Sequence, residues 1–299
     1  MKKQSAFSLV EISVVLLILG ILISGVTLGS KMVRKSKLVN AQLITTNSKI
    51  EQIPNMILWY ETTLPGSVIG ASNVKQPADG DAIATWKDLN PSNILNSATQ
   101  STSANQPTYK IDGINGTPAL KFDGTNDYFS ITNIMADNFT YFVVLRTAST
   151  GGGNISSNAY DGMGILWSDV AGASDYDEIP LAIAGGYAKM ACSASNTSFT
   201  AGPVNDNKAH VIVGIRIKGT GTTVLYVDGY YNVGGLPSIY TGTLNANPNL
   251  IIGGNILGSA YFNGYIGELI IYDRNLRWDE RKVVEKYLGK KWGVSISSS

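Results

Sequence analysis

Residues 211–231 read VIVGIRIKGTGTTVLYVDGYY, and the fold class turns on them. Val211-Ile212-Val213 opens an apolar run that passes into strict apolar–polar alternation through Lys218, the period of a β-strand. Thr223–Val227 is a second strand, and it enters Asp228-Gly229, a two-residue hairpin turn whose central positions tolerate positive φ. The same pattern recurs at Phe139–Leu145, Leu250–Ile252 and Tyr265–Tyr272, and from Pro54 onward short runs of this kind are divided by Gly, Asn, Asp and Pro. Many short strands separated by such turns predict a β-sandwich. A mixed α/β domain would need repeated helices between strands. Only one helical segment is found there, Trp278–Leu288, with Val283, Val284, Tyr287 and Leu288 at helical spacing and Gly289 placed as a C-terminal cap.

The composition agrees. Of 299 residues only 15% are charged, while Gly (32) and Tyr (15) are abundant, as suits an all-β chain with many turns. A net charge of +1 gives no reason to expect nucleic acid or an acidic substrate as the partner. The charge is unevenly spread: the first 37 residues hold six Lys/Arg against one acid, Glu11. The single cysteine, Cys192, excludes an intramolecular disulfide and reads as a buried apolar side chain.

Between Glu11 and Lys31 lie 19 uncharged residues rich in Leu, Ile and Val. As a helix they span roughly 28 Å, close to the hydrocarbon thickness of a bilayer. A secretory signal would have a shorter apolar region followed by a small-residue cleavage site. Here the small residue Ala6 precedes the run, so the span is expected to be retained. Glu11 at its edge is expensive, costing roughly 2.5–3.5 kcal/mol if carried to the bilayer centre, and such a residue usually has a partner or a task. After the span, a second helical stretch to about Ile53 carries Val33, Leu38, Ala41, Ile44 and Ile50 on an imperfect amphipathic face.

The stretch from Lys2 to Glu11, KKQSAFSLVE, resembles the type IV prepilin signal. The resemblance implies a leader of residues 1–6, cleavage between Ala6 and Phe7, N-methylation of Phe7, and Glu11 at the glutamate position that serves filament assembly. Ala6 stands where that leader commonly ends in Gly, and the disulfide-closed loop of many pilins is missing. Four basic residues (Lys31, Arg34, Lys35, Lys37) follow the span and two precede it, which by the positive-inside rule favours the reverse of the pilin topology; the family signal places the N-terminus inside. Residues 7–53 are then the pilin helix and residues 54–299 the outer domain. Six strings within that domain, ILWY (57–60), WKD (86–88), PALKFDG (118–124), HVIV (210–213) followed by LYVDG (225–229), and GYIGELIIY (264–272), resemble in their order the landmarks of laminin-G-like, concanavalin A-like jelly rolls. Ala209 replaces a common Trp, and Arg277 sits where a Ser or Thr cap is common.

Catalytic patterns are sparse. His210 is the only histidine and is expected to be structural. Glucanases of the resembled fold use clustered carboxylates on one strand, and no such pattern is found; Glu268 and Asp273 fall on opposite faces of a strand. Asp169, Asp175, Asp177 and Glu178 gather in a loop that is either solvated or, as the one candidate metal site, a set of oxygen donors for calcium. No other cofactor is expected. The tyrosines and tryptophans read equally as core or as a glycan platform.

The expected protein is therefore a non-enzymatic filament subunit, a minor pilin or pseudopilin, single-pass in the inner membrane before assembly and at the cell surface afterwards. Its partners would be other pilin subunits, the prepilin peptidase and the membrane around its helix. The alternatives are a pilus-delivered lectin-like adhesin that binds a surface glycan, and a simple anchored binding protein.

Overall fold

The strand Phe139–Arg146 divides its side chains by parity. Phe139, Tyr141, Val143 and Leu145 enter one buried cluster, and Phe142 and Val144 enter another. Successive strand residues point to opposite faces, so this sheet has a core on each side. That double burial is why the run is continuously apolar rather than alternating. Val211 and Val213 against Ile212 divide in the same way.

The computed structural model describes residues 8–91, 96–135, 137–170, 177–193, 199–231, 240–245 and 247–298. Two antiparallel sheets face each other across the first cluster. The front sheet runs Tyr230–Tyr231, Thr222–Val227, Ala209–Ile217, Phe139–Arg146, Asn263–Tyr272, Thr117–Asp123, Thr108–Ile114. Met56–Glu61 pairs with the second half of Asn263–Tyr272, whose first half pairs with Thr117–Asp123. The changeover falls at Gly267, where a Cβ would lie 2.5 Å from the Trp292 ring. The back sheet runs Phe199–Ala201, Tyr187–Ser193, Asp177–Ala184, Met163–Trp167, Asn249–Ile252, Phe129–Thr132, Ala98–Thr99, Ile83–Trp86, Val68–Gly70. Asp228 (φ 53°) and Gly229 (φ 81°) both take positive φ and turn Thr222–Val227 into Tyr230–Tyr231, the hairpin expected from sequence.

The outer face of the front sheet is covered by two helices. Helix α1 (Leu9–Thr46) is continuous and is followed by a single 3₁₀ turn, Ile50–Gln52, rather than running helically to Ile53. Ala41, Thr45 and Ile50 are buried and Leu38 half-buried, whereas Val33, expected on the same face, is exposed. Helix α2 (Trp278–Trp292) outruns its expected end. Gly289 lies inside it, packed so closely that a Cβ would meet Ile296 at 2.6 Å, and Gly293, at φ 68°, makes the left-handed cap. Arg277 is its N-cap; Glu280 accepts the Arg277 backbone N–H at 3.0 Å. Cys192 is buried in the inter-sheet core.

Candidate functional site

Ala6 and Phe7 lie outside the described residues. Ser8 caps helix α1: its hydroxyl accepts the Val10 N–H at 3.1 Å, while the Glu11 carboxylate accepts the Ser8 N–H at 2.8 Å. This is a capping box, two orphan donors satisfied by side chains three residues apart. The turns that follow are apolar on every side: the most apolar 18-residue window has a mean hydropathy of 2.7 and none of it is buried. Ser24, Thr27 and Ser30 return their hydroxyls to the carbonyls of Gly20, Ile23 and Val26. A helix whose polar groups are all satisfied internally and whose sides are all apolar suits lipid or other apolar helices as its surroundings.

The second half of α1 is fixed to the sandwich. Lys37 Nζ donates to Asn115 O and Gln42 Nε2 to Thr63 O, both at 2.8 Å. Tyr272 Oη donates to Ile50 O at 3.1 Å. Beneath this contact lies an ionic cluster with no exposed member. Glu61 and Glu268 are register partners on adjacent strands, and Lys291 Nζ reaches them at 2.9 and 2.8 Å. Glu268 also accepts from the Trp59 and Trp292 indoles, each at 2.8 Å, and from Tyr287 Oη at 2.7 Å. Glu61 accepts from the Thr63 and Leu64 amides at 2.7 and 2.6 Å. Tyr287 Oη is 3.4 Å from Thr45 Oγ1, which ties the cluster to α1. Burial pushes the Glu61 carboxyl up, but the Lys291 charge and the hydrogen bonds outweigh it and hold it below its ordinary range. Burial likewise pushes the Lys291 ammonium down, and the two carboxylates reverse that.

No spacing in the sequence shows this carboxylate pair, because the two glutamates lie on strands far apart in the chain. The fold pairs them, yet both are wholly buried with a cation between them. So placed, they join strands to helices and offer no face to a substrate. Asp273, the other acid considered with Glu268, follows the strand end, where its N–H donates to Asn55 O.

His210 holds a turn. Its Nδ1 is 2.8 Å from Asp228 Oδ2 and its Nε2 3.0 Å from Asp206 Oδ1, and Asp228 Oδ1 accepts the Val211 N–H at 2.8 Å. Burial pushes the imidazole down, but Asp228 and Asp206 together raise it above its ordinary 6.5. Asp206 is held at about 2, where its hydrogen bonds from Lys208 and His210 outweigh burial. A raised folded value means that His210 stabilises fully below pH 6.5 and less as pH rises through that value. Relative to His210→Asn, the wild type is therefore expected to lose stability as pH rises above 6.5 through the raised folded value. Melting curves of both proteins across that range check this; a constant difference would contradict it.

The four acids do not share one loop: Asp177 and Glu178 begin the strand Asp177–Ala184, Asp169 follows the strand Met163–Trp167, and both Asp169 and Glu178 are buried. Burial pushes the Asp169 carboxyl up against the amides of Glu178 and Val170. Asp175 and the side chain of Asp177 lie outside the described residues. Among the described residues no group of three or more His, Cys, Asp or Glu is placed to hold a metal ion.

Residues 123–280 match the family described as the concanavalin A-like lectin/glucanases superfamily, and residues 1–27 match the prokaryotic N-terminal methylation motif. Among solved structures, the chain is similar to the Trypanosoma rangeli sialidase in complex with 2,3-difluorosialic acid, with a TM-score of 0.52 and 15% identity over 79% of this chain and 33% of that one. A second structure of that sialidase gives a TM-score of 0.50 at 14% identity with the same coverage. The botulinum neurotoxin serotype D ligand binding domain, in complex with N-acetylneuraminic acid, gives 0.49 at 14% identity, covering 81% and 54%. The chain thus spans about a third of the sialidase's length. At 14–15% identity the likeness to the sialidase shows the fold alone. No curated protein sequence matches the chain.

Proposed function

The chain belongs to the concanavalin A-like lectin/glucanases superfamily and carries the prokaryotic N-terminal methylation motif, and from that premise we propose that it is a subunit of a type IV pilus-like filament displaying a β-sandwich outside the cell. The observation that carries this reading is helix α1: its first half is apolar and uncovered, and its second half is hydrogen-bonded into the sandwich. A plain membrane anchor needs a span but not a rigid continuation into the folded domain. A filament built by packing helices needs that continuation, because it fixes where each sandwich stands relative to the core.

In this reading residues 1–6 are a leader removed by a prepilin peptidase, 7–53 the filament segment made of helix α1 and the short turn after it, and 54–299 the sandwich, whose outer core is closed by residues 38–53. The protein resides in the inner membrane until it is extracted into a filament with other pilins. Its size favours a minor subunit or pseudopilin. Filaments sheared from the native host should contain the protein, and cells lacking the prepilin peptidase should retain it in the inner membrane. Recovery in the membrane alone, with or without the peptidase, would overturn the proposal. The second reading, favoured by the superfamily, makes the sandwich a lectin-like binding module that the filament delivers.

A further inference from the structure

Lys121, Tyr265 and Arg146 stand side by side on three neighbouring strands of the front sheet: Tyr265 is the register partner of Lys121 on one side and of Arg146 on the other. All three lie on the face that also carries the helices. The Arg146 guanidinium stacks on the Tyr265 ring, Cζ to centroid 4.3 Å, and Lys121 Nζ lies 5.2 Å from the same centroid. Lys121 Nζ donates to Asn263 Oδ1 at 2.6 Å; burial and, more weakly, the Arg146 charge push its ammonium down, against Asp123 and Asp127, which hold it up. Arg146 has no such relief. Its Nε is shut off from solvent with no acceptor, and its side chain makes no hydrogen bond or ion pair among the described residues. An arginine held over a ring, with no acceptor for its donors among the described residues, is pre-organised for a planar anion.

These side chains floor a recess of about 340 Å³ rimmed by Thr147, Ser149, Asn207 and Asn263. The rim is held by its own bonds: Thr147 Oγ1 donates to Asn263 O at 2.6 Å and accepts the Ser149 N–H at 2.9 Å, and Asn207 N donates to Thr147 O at 2.9 Å. Hydroxyls and amides both donate and accept, as the hydroxyls of a sugar require. The volume is at the small end of ligand sites, which suits one ring and not a chain of them. We propose that this recess binds a single sugar unit bearing a carboxylate, with the carboxylate on Arg146 and Lys121 and the sugar hydroxyls on the rim. The inference rests on the sandwich acting as a binding module and is independent of filament assembly.

The test uses the full chain in detergent micelles, titrated calorimetrically with glucuronate, with glucose as the neutral counterpart and sodium sulfate as a plain anion. Glucuronate is expected to bind saturably and glucose at least about tenfold more weakly, since the charge-assisted contacts to Arg146 and Lys121 are lost. Arg146→Lys keeps the charge and removes the fork; Lys121→Met removes one charge and keeps the stem. Each is expected to lose at least about tenfold in glucuronate affinity while melting as the wild type does. Sulfate binding as tightly as glucuronate would mean an adventitious ion only and overturn the proposal, as would glucose binding equally well. If both variants still capture acidic polysaccharide like the wild type, the recess is wrong and the binding module stands elsewhere. If neither wild type nor variants bind any of these probes, the recess proposal is overturned, while the binding-module reading, which rests on the superfamily, is decided by binding to other glycans.

Discussion

Replacing Lys291 with Met is expected to destabilise the folded chain by about 3–5 kcal/mol, because it leaves two facing carboxylates buried without their cation. Domains of this kind are stable by roughly 5–15 kcal/mol, so the loss is a large share of the total. The triple change Lys291→Met, Glu61→Gln, Glu268→Gln removes all three charges and should recover most of it, since a buried ionic group replaced as a whole is often neutral. Denaturant titration of the full chain in micelles checks both proteins. Trp59 and Trp292, each bonded to Glu268, make indole fluorescence a local reporter. The pH dependence has a definite sign. Glu61 is held below its ordinary 4.5, so its contribution is intact above that pH and is lost as pH falls through the folded value. Lys291 is held above 10.5, so its contribution is intact below that pH and is lost as pH rises beyond it. A Lys291→Met chain that unfolds at the wild-type denaturant concentration would contradict this account of the helix-to-sheet contact.

Glu11→Gln is expected to leave the protein in the membrane and to cut its incorporation into filaments by about tenfold or more. The charge balance gives the reason. After cleavage the α-amino group of Phe7 has a reference pKa near ~8 and is mostly cationic at neutral pH. Glu11 lies four residues on, roughly 6 Å of helix rise away. In an apolar filament core each charge is costly alone, and the carboxylate of one subunit can neutralise the amine of a neighbour. Pairing then selects register, because a subunit docked at the wrong height leaves both charges unpaired. The capping box makes Gln the informative replacement: it can still accept the Ser8 N–H as Glu11 does, so the helix start survives while the charge goes. Glu11→Ala removes both and should also fray the first turn. Immunoblots of sheared filaments and of membranes separate the two effects; Glu11→Gln protein in filaments at the wild-type level would refute the pairing.

The sandwich was legible because its signals are local. Alternation, doubly apolar runs and the Asp228-Gly229 turn each act over a few residues, and the expected strands lie within one or two residues of the observed ones. The C-terminal end of α2 lies beyond the glycine that the spacing marks as its stop. Gly289 is instead small so that Ile296 can pack on it, and the helix runs on to bury Lys291 and Trp292. A signal for Lys291 existed: Val284, Tyr287, Leu288 and Lys291 fall at i, i+3, i+4 and i+7, which places a charge on the apolar stripe. Its partners could not be read the same way, since Glu61 and Glu268 meet only through strand pairing across some two hundred residues. The row of Lys121, Tyr265 and Arg146 escaped for the same reason: pairing, not spacing, sets three strands side by side.

Processing at Ala6-Phe7 is the claim on which the filament reading depends. The intact mass of the protein taken from its native host measures it directly. The account predicts a chain that begins at Phe7, lacks residues 1–6 and carries one added methyl group. A chain that retains Met1, or one cut after the apolar span, would contradict it.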